Sequence, residues 1–247
     1  MTPAIPAATL ILARDRSGVA PDLLMVERAA TMVFAAGAMV FPGGRIDPED
    51  REYGERLGVP HGAAIVAAVR ETLEETAVAV AIDPPISPGL ALALQRALLD
   101  GASLATLLAA HSLTLNPSAL TAFAHWIPEF HHMRRFDTMF FVAAAPPGKW
   151  QPHVGEAENR TAEWLTAAEA LRRDAAQEAN LIFPTRCNLH RLAQHGNLAA
   201  IRDDATRHSI EPVTPWIEER DGVRFLTIPA HLGYPVTREP LESASRG

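Results

Sequence analysis

The chain has 247 residues, of which 48% are hydrophobic, and this is enough for the core of one domain of ordinary size. Its formal net charge of −7 argues against nucleic acid or an anionic membrane surface as a partner. A single cysteine, Cys187, excludes an internal disulfide and a cysteine-rich metal site. The N-terminus lacks the basic region of a signal peptide, and no run of about 18 apolar residues occurs, so we expect a cytoplasmic protein.

Taken in chain order, the first part of the sequence predicts a strand pair, a glycine turn and several helices. Residues 8–14 and 22–28 are short aliphatic runs separated by a turn-prone Asp-Arg-Ser-Gly segment, which predicts paired strands. The apolar run 38–42 leads into a Phe-Pro-Gly-Gly turn. Helical periodicity over 61–77 predicts a helix, and the Ala- and Leu-rich stretch 88–111 predicts one or two more.

The second part adds strands, further helices and a hairpin. Residues 121–127 and 136–145 predict buried strands, and 166–173 predicts a capped helix with helical sequence continuing beyond it. The dipeptide Asp221-Gly222 between two apolar runs is a strong signal for a tight hairpin. Helices and strands together predict an α/β (α+β) fold.

The helix predicted over 61–77 carries an acidic face. Glu71, Glu74 and Glu75 are spaced so that they cluster opposite the apolar stripe of the helix. A solvated surface would explain them, but like charges at this spacing cost roughly 0.2–0.5 kcal/mol per pair, and acids are disfavoured near a helix C-terminus. A divalent cation bound among them would explain why three acids stand at these positions, and oxygen ligands suit Mg²⁺ or Mn²⁺. Spacing alone leaves both interpretations open.

The segment Arg70-Glu71-x-x-Glu74-Glu75, preceded by a Gly-Gly turn and acids, resembles the Nudix box. That box is a glycine, five residues, an acid, seven residues and then Arg-Glu-hydrophobic-x-Glu-Glu-x-Gly. Gly44 takes the place of the first glycine, and Asp50 that of the first acid, with Asp for the usual Glu. Residues 51–69 stand where seven residues are expected, so the box contains an insertion of twelve. Asp47 and Glu49 are then assigned to the turn.

Two further segments are similar to the coenzyme A diphosphatase branch of the family. One is Gly37-x-x-x-Phe41-Pro42-Gly43-Gly44, and the other is Arg134-Arg135-Phe136-Asp137-Thr138. A branch of these proteins also carries an insertion inside the box. The resemblance implies a Nudix fold, with a mixed sheet sandwiched between helices.

The resemblance also implies that residues 1–247 form a single domain. Its core covers about 8–175, a helical insertion about 86–118, and a C-terminal extension of helices and a hairpin about 176–247. The segment 88–115 is interpreted either as a lid or as a dimer surface.

Two positions depart from the family pattern. Ala77 replaces the glycine that ends the box, where positive φ would cost alanine on the order of 1 kcal/mol. We therefore expect the helix to continue slightly further. Thr72 replaces a hydrophobic residue and is expected to pack through its methyl group.

The resemblance implies metal-assisted hydrolysis of a diphosphate and assigns roles to the residues of the box. Glu71, Glu74 and Glu75 would bind Mg²⁺, with Mn²⁺ as the alternative, and the Gly43 carbonyl is a further candidate. Arg70 would orient the acids through an ion pair with Asp50. Glu158, six residues before Trp164, is a candidate general base or extra ligand, with an ordinary loop acid as the alternative.

Arginines are the candidates for binding the substrate. Arg134 and Arg135 suit phosphate oxygens, although they also fit a surface pair that bonds Asp137. Arg28 and Arg45 flank the glycine turn and are further candidates. His131 and His132 are assigned to the surface, because adjacent side chains on a strand point apart.

The implied function is cleavage of CoA or acyl-CoA to 3′,5′-ADP and a 4′-phosphopantetheine. Two alternatives remain: a Nudix pyrophosphatase acting on ADP-ribose, NADH or another nucleoside diphosphate derivative, and a catalytically silent domain that senses a nucleotide. The expected partner is this small molecule, without nucleic acid or membrane. A homodimer is expected from the resemblance alone.

Overall fold

The computed structural model describes residues 3–29, 35–128, 135–155 and 159–244. The strands in chain order are β1 (Ile5–Arg16), β2 (Val19–Arg28), β3 (Met39–Val40), β4 (Gly43–Arg45), β5 (Ile82–Asp83), β6 (Thr114–Leu115), β7 (Thr121–Trp126), β8 (Phe136–Ala144), β9 (Asn159–Thr166), β10 (Pro212–Val213), β11 (Trp216–Arg220), β12 (Val223–Thr227) and β13 (Arg238–Pro240). The helices are α1 (Pro48–Leu57), α2 (Gly62–Thr76), α3 (Pro88–Leu99), α4 (Leu104–Ala110), α5 (Ala167–Ala175), α6 (Phe183–Leu192), α7 (Leu198–Arg207) and α8 (Leu241–Ala244). A 3₁₀ turn covers Pro117–Ala119.

Eight of the strands in the described ranges form one mixed sheet. Its order is β10-β7-β8-β1-β2-β9, and β1 runs parallel to β8 but antiparallel to β2. β1 and β2 pair only near their turn, and β4 and β3 pair with the diverging parts of β1 and β2 respectively. The Phe41-Pro42 segment therefore crosses between the two diverging strands. This crossing delivers the glycine turn to the sheet.

Helices cover both faces of the sheet, as the predicted fold requires. Alternate residues of β1 enter two different cores: Leu10 and Leu12 pack with α2, whereas Ile11 and Ala13 pack with α6 and α7. Burial on both faces explains the uninterrupted aliphatic run of this strand. In the described part of the chain, no helix combines the length and apolar character that crossing a bilayer requires.

The insertion inside the box forms α1 and a short turn before α2. Asp47 is the N-cap of α1 and Glu49 lies in its first turn, so their assignment to a turn was wrong. The two helices pack very closely, since a Cβ atom on Gly54 would lie 2.2 Å from the backbone nitrogen of Ala63. Gly62 is equally constrained on the other side of this contact. The extra residues thus form a helix that packs on the helix of the box.

The end of α2 corrects a second expectation. The helix stops at Thr76, and Ala77 itself adopts the left-handed conformation with φ 54°, donating its N–H to the Leu73 carbonyl at 2.9 Å. The predicted continuation of the helix was therefore wrong. Thr72 is completely buried, and its hydroxyl donates to the Ala68 carbonyl at 2.8 Å.

Other predicted elements are present, whereas β9 was not predicted. Helix α3 packs on α2, and its Leu94 and Leu98 belong to the core beneath the sheet. The hairpin at Asp221-Gly222 is present, with both turn residues at positive φ and Arg220 paired to Val223. Side chains of the C-terminal extension, among them Leu226 and Tyr234, belong to the core on the other face of the sheet.

Candidate active site

The glycine turn and α2 meet in direct contact. A Cβ atom on Gly44 would lie 2.4 Å from Oε1 of Glu71, so a larger residue does not fit without moving that carboxylate. The backbone N–H of Gly43 donates to Oε2 of Glu75 at 3.1 Å. The two glycines thus let the turn approach the acidic face of the helix and partly cover it.

Arg70 joins the two halves of the box across the insertion. Its Nε and Nη2 atoms donate to the two carboxylate oxygens of Asp50, at 3.0 and 2.9 Å. Its Nη1 donates to Oε2 of Glu74 at 3.1 Å, and its Nη2 lies 3.0 Å from Oε1 of Glu71. The ion pair expected between Arg70 and Asp50 is therefore formed, in the bidentate geometry that suits a guanidinium.

Helix α1 holds Asp50 in position. This residue lies in the first turn of α1, is only 2% exposed, and also accepts the backbone N–H of Asp47 at 2.9 Å. Arg70 in turn donates to the Arg45 carbonyl at 2.9 Å. The inserted helix thus brings the first acid of the box to its arginine instead of separating them.

The electrostatics of the site are strongly perturbed. The pKa of Glu71 is raised to about 8, chiefly by burial; Arg70 opposes the rise, and the charges of Glu75 and Glu74 add to it. Burial lowers the pKa of Arg70, but its hydrogen bonds to Asp50 and the charges of the surrounding carboxylates raise it more. Such perturbation of neighbouring groups is typical of functional sites.

The chemistry of the donor set fits a divalent cation. Three carboxylates, those of Asp50, Glu71 and Glu74, share one guanidinium, and Glu75 is 5% exposed on the same helix. This excess of partly desolvated negative charge is what a hard cation would offset. Within the described ranges, however, no three acidic, histidine or cysteine side chains converge on a common metal position. The roles of Glu71, Glu74 and Glu75 as ligands stay a prediction.

The face of the sheet beside Glu71 carries a histidine that the sequence did not single out. Gly44 pairs with Ala8, Ala8 with Met139, and Met139 with His125, so these four residues form one row across the sheet. Directly paired residues share a face, so His125 lies on the same face as Gly44 and Glu71. Its Nε2 lies 2.5 Å from Oδ1 of Asp137. Only the register between distant strands reveals this placement.

The other candidate residues are placed as follows. Arg28, at the end of β2, is half-buried, and its Nε has no hydrogen-bond partner among the residues described. Arg135 directly precedes β8, and its carbonyl accepts the N–H of Ile5 at 2.8 Å. Arg134 and Glu158 lie outside the described residues, as do His131, His132 and Glu156.

Cys187 has no part in this site. It is 1% exposed in the core on the opposite face of the sheet, and burial raises the pKa of its thiol well above the ordinary value. A nucleophilic cysteine requires the reverse shift.

Comparison with known proteins decides the family. No family model matches the chain. Among solved structures, the chain is similar to a Nudix hydrolase from Alicyclobacillus acidocaldarius, with 30% sequence identity and a TM-score of 0.70. That similarity covers 82% of this chain and 97% of the other. The chain belongs to the Nudix hydrolase family.

Two further Nudix structures match at lower similarity. The NUDIX domain of Shewanella oneidensis NrtR, complexed with ADP ribose, is 15% identical over 78% of this chain and 88% of its own, with a TM-score of 0.46. A C. elegans Ap4A hydrolase is 13% identical over 81% of this chain and 93% of its own, with a TM-score of 0.39. Similarity at this level bears on neither substrate nor mechanism here.

Membership of the Nudix family establishes the general chemistry. The chain is an enzyme, a hydrolase that acts on pyrophosphate bonds. Nudix hydrolases generally use divalent metal ions, in agreement with the donor chemistry described above.

Proposed function

We propose that this Nudix hydrolase is a Mg²⁺-dependent diphosphatase that cleaves CoA or acyl-CoA to 3′,5′-ADP and a 4′-phosphopantetheine. The observation that carries the proposal is the contact of Asp50 with Arg70, which assembles the box although α1 interrupts it. The choice of CoA rests on the resemblance of segments 37–44 and 134–138, and on the insertion itself, to one branch of the family.

The chain's own residues would then share the following tasks. Glu71, Glu74 and Glu75 would hold Mg²⁺, or Mn²⁺, which supplies Lewis acidity and lowers the pKa of the attacking water. Arg70 holds the carboxylates in position through its bonds to Asp50 and Glu74. Glu158 is the proposed general base.

The sheet beside the glycine turn would bind the part of the substrate beyond the diphosphate. Asp137 belongs to the Arg134–Thr138 segment and contacts His125, which lies in the row that begins at Gly44. This placement supports a position of the segment beside the substrate, where Arg134 and Arg135 would contact phosphates. The half-buried Arg28, at the end of β2, is a further candidate.

Incubation with Mg²⁺ and a panel of CoA, acetyl-CoA, ADP-ribose and NADH tests the proposal, with products identified by phosphorus NMR. We expect 3′,5′-ADP from CoA, because cleavage between the two phosphates leaves the 3′-phosphate on the adenosine product. Turnover of ADP-ribose or NADH without turnover of CoA would replace CoA by the alternative substrates. Absence of turnover with every member of the panel would favour the nucleotide sensor.

A further inference from the structure

A buried glutamine on α3, in the helical insertion at about 86–118, reaches the C-terminal end of α2, the helix that carries the acids. Gln95, on α3, is 1% exposed, and its amide nitrogen donates to the Glu74 carbonyl at 2.9 Å. The same nitrogen donates to the His153 carbonyl at 2.8 Å, and its amide oxygen lies 3.2 Å from Nδ1 of that histidine. The backbone N–H of His153 donates to the Thr76 carbonyl at 2.7 Å. Three chain segments are thereby joined at one point.

This arrangement satisfies carbonyl groups that a helix end leaves without partners. The last four carbonyls of an α-helix lack an N–H from the helix itself, and their partial negative charge disfavours nearby acids. In α2, Glu74 and Glu75 stand in that last turn. Donors from Gln95 and His153 to the carbonyls of Glu74 and Thr76 therefore offset part of the charge that these carboxylates experience.

We infer that Gln95 is a positioning residue that fixes the last turn of α2 against segment 146–155 and thereby sets the affinity of Glu74 and Glu75 for a divalent cation. The inference rests on the metal role given to these glutamates in the proposed function. It also gives the helical insertion a task that neither a lid nor a dimer surface describes, because Gln95 reaches the backbone beneath the site.

A buried amide with satisfied hydrogen bonds is common as a purely structural feature, so the test separates stability from cation binding. Gln95→Met keeps approximately the volume of the side chain but removes the donor to the carbonyls of Glu74 and His153. The matched control is Leu98→Ala, which loosens the same helix from the same core without removing a hydrogen bond to α2. Gln95→Leu serves as a second variant, whose apolar side chain also lacks the donor.

Mn²⁺ binding, measured by electron paramagnetic resonance of the free ion, gives a readout that does not depend on the substrate. We expect the dissociation constant to rise about tenfold in Gln95→Met or Gln95→Leu and less than twofold in Leu98→Ala, with melting temperatures recorded for all three. Equal Mn²⁺ affinity in wild type and a folded Gln95 variant would overturn the inference alone, as would an equal shift in Leu98→Ala. Absence of Mn²⁺ binding by wild type would overturn the metal role and the inference together.

Discussion

At the scale of single residues, Gly44 closely approaches the carboxylate of Glu71. The missing side chain of Gly44 leaves space that the Glu71 carboxylate occupies, and a Cβ atom would be 2.4–2.7 Å from three atoms of that group. Gly43 differs, because a Cβ there would meet the backbone of Ala8 and Thr9. Gly43 is thus required by the packing of the sheet backbone, and Gly44 by the position of the Glu71 carboxylate.

Replacement of Gly44 by Ala should therefore impair activity more than stability. Glu71 can move away by rotating its side chain, but displacement of a reacting or ligating group by about 1 Å costs on the order of 100-fold in rate. We expect kcat/KM to fall by roughly 10- to 100-fold with a small change in melting temperature. The control is Gly89→Ala on α3, where a Cβ would make only an ordinary van der Waals contact, 3.9 Å from Oγ of Ser87. Unchanged kcat/KM in Gly44→Ala would show that the close contact has no role in the reaction.

Single residues also show what the sequence could and could not predict. The motif predicted the pairing of Asp50 with Arg70, because the spacing of a known box relates them despite the insertion. The prediction that α2 would continue past Ala77 was wrong, because it relied on local propensity: the left-handed conformation that Ala77 adopts costs about 1–2 kcal/mol. The three residues that follow, 78–80, are all buried, and burying them offsets that strain. Such tertiary compensation cannot be seen in a local sequence window.

At the scale of elements, α1 explains the twelve-residue insertion. Its sequence did contain start and stop signals: Asp47 as N-cap, Pro48 at the first helical position, and Gly58 in the left-handed conformation after the end. Its contact with α2 through Gly54 and Gly62 could not be predicted, because the tertiary fold, and not the local sequence, determines which two helices pack together. That contact determines where Asp50 stands relative to Arg70.

Replacing Gly54 by Ala should separate α1 from α2. The added Cβ would lie 2.2 Å from the backbone nitrogen of Ala63, and overpacking of this kind typically costs about 1–3 kcal/mol. We expect the free energy of urea unfolding to fall by that amount, together with a lower kcat as Asp50 moves. Glu55→Ala, at an exposed position on the same helix, should change neither quantity. Wild-type stability in Gly54→Ala would contradict the close helix contact.

At the scale of the whole molecule, the site depends on strands that are distant in the sequence. The parallel pairing of β1 with β8 and the insertion of β4 beside β1 bring the glycine turn, Met139 and His125 into one row. Apolar patterning predicted β1, β7 and β8, whereas β4 lies in the segment that was predicted to be a glycine turn. It could not predict their register, because a strand buried on both faces shows no alternation that fixes which residue faces which layer.

The central claim is that Glu74 and Glu75, held beside the glycine turn by Arg70 and Gly43, carry metal-dependent diphosphate hydrolysis. The most direct measurement is Mg²⁺-dependent turnover of CoA by wild type, Glu74→Gln and Glu75→Gln, with the melting temperature of each. Glutamine keeps the shape and an acceptor oxygen but removes the charge that holds a cation. We predict that turnover falls at least about a hundredfold in both variants, because several kcal/mol of charge stabilisation depend on the metal. The melting temperature should change little, since weaker repulsion among the carboxylates offsets the loss of the ion pair between Arg70 and Glu74. Turnover near that of wild type in both variants would contradict the claim.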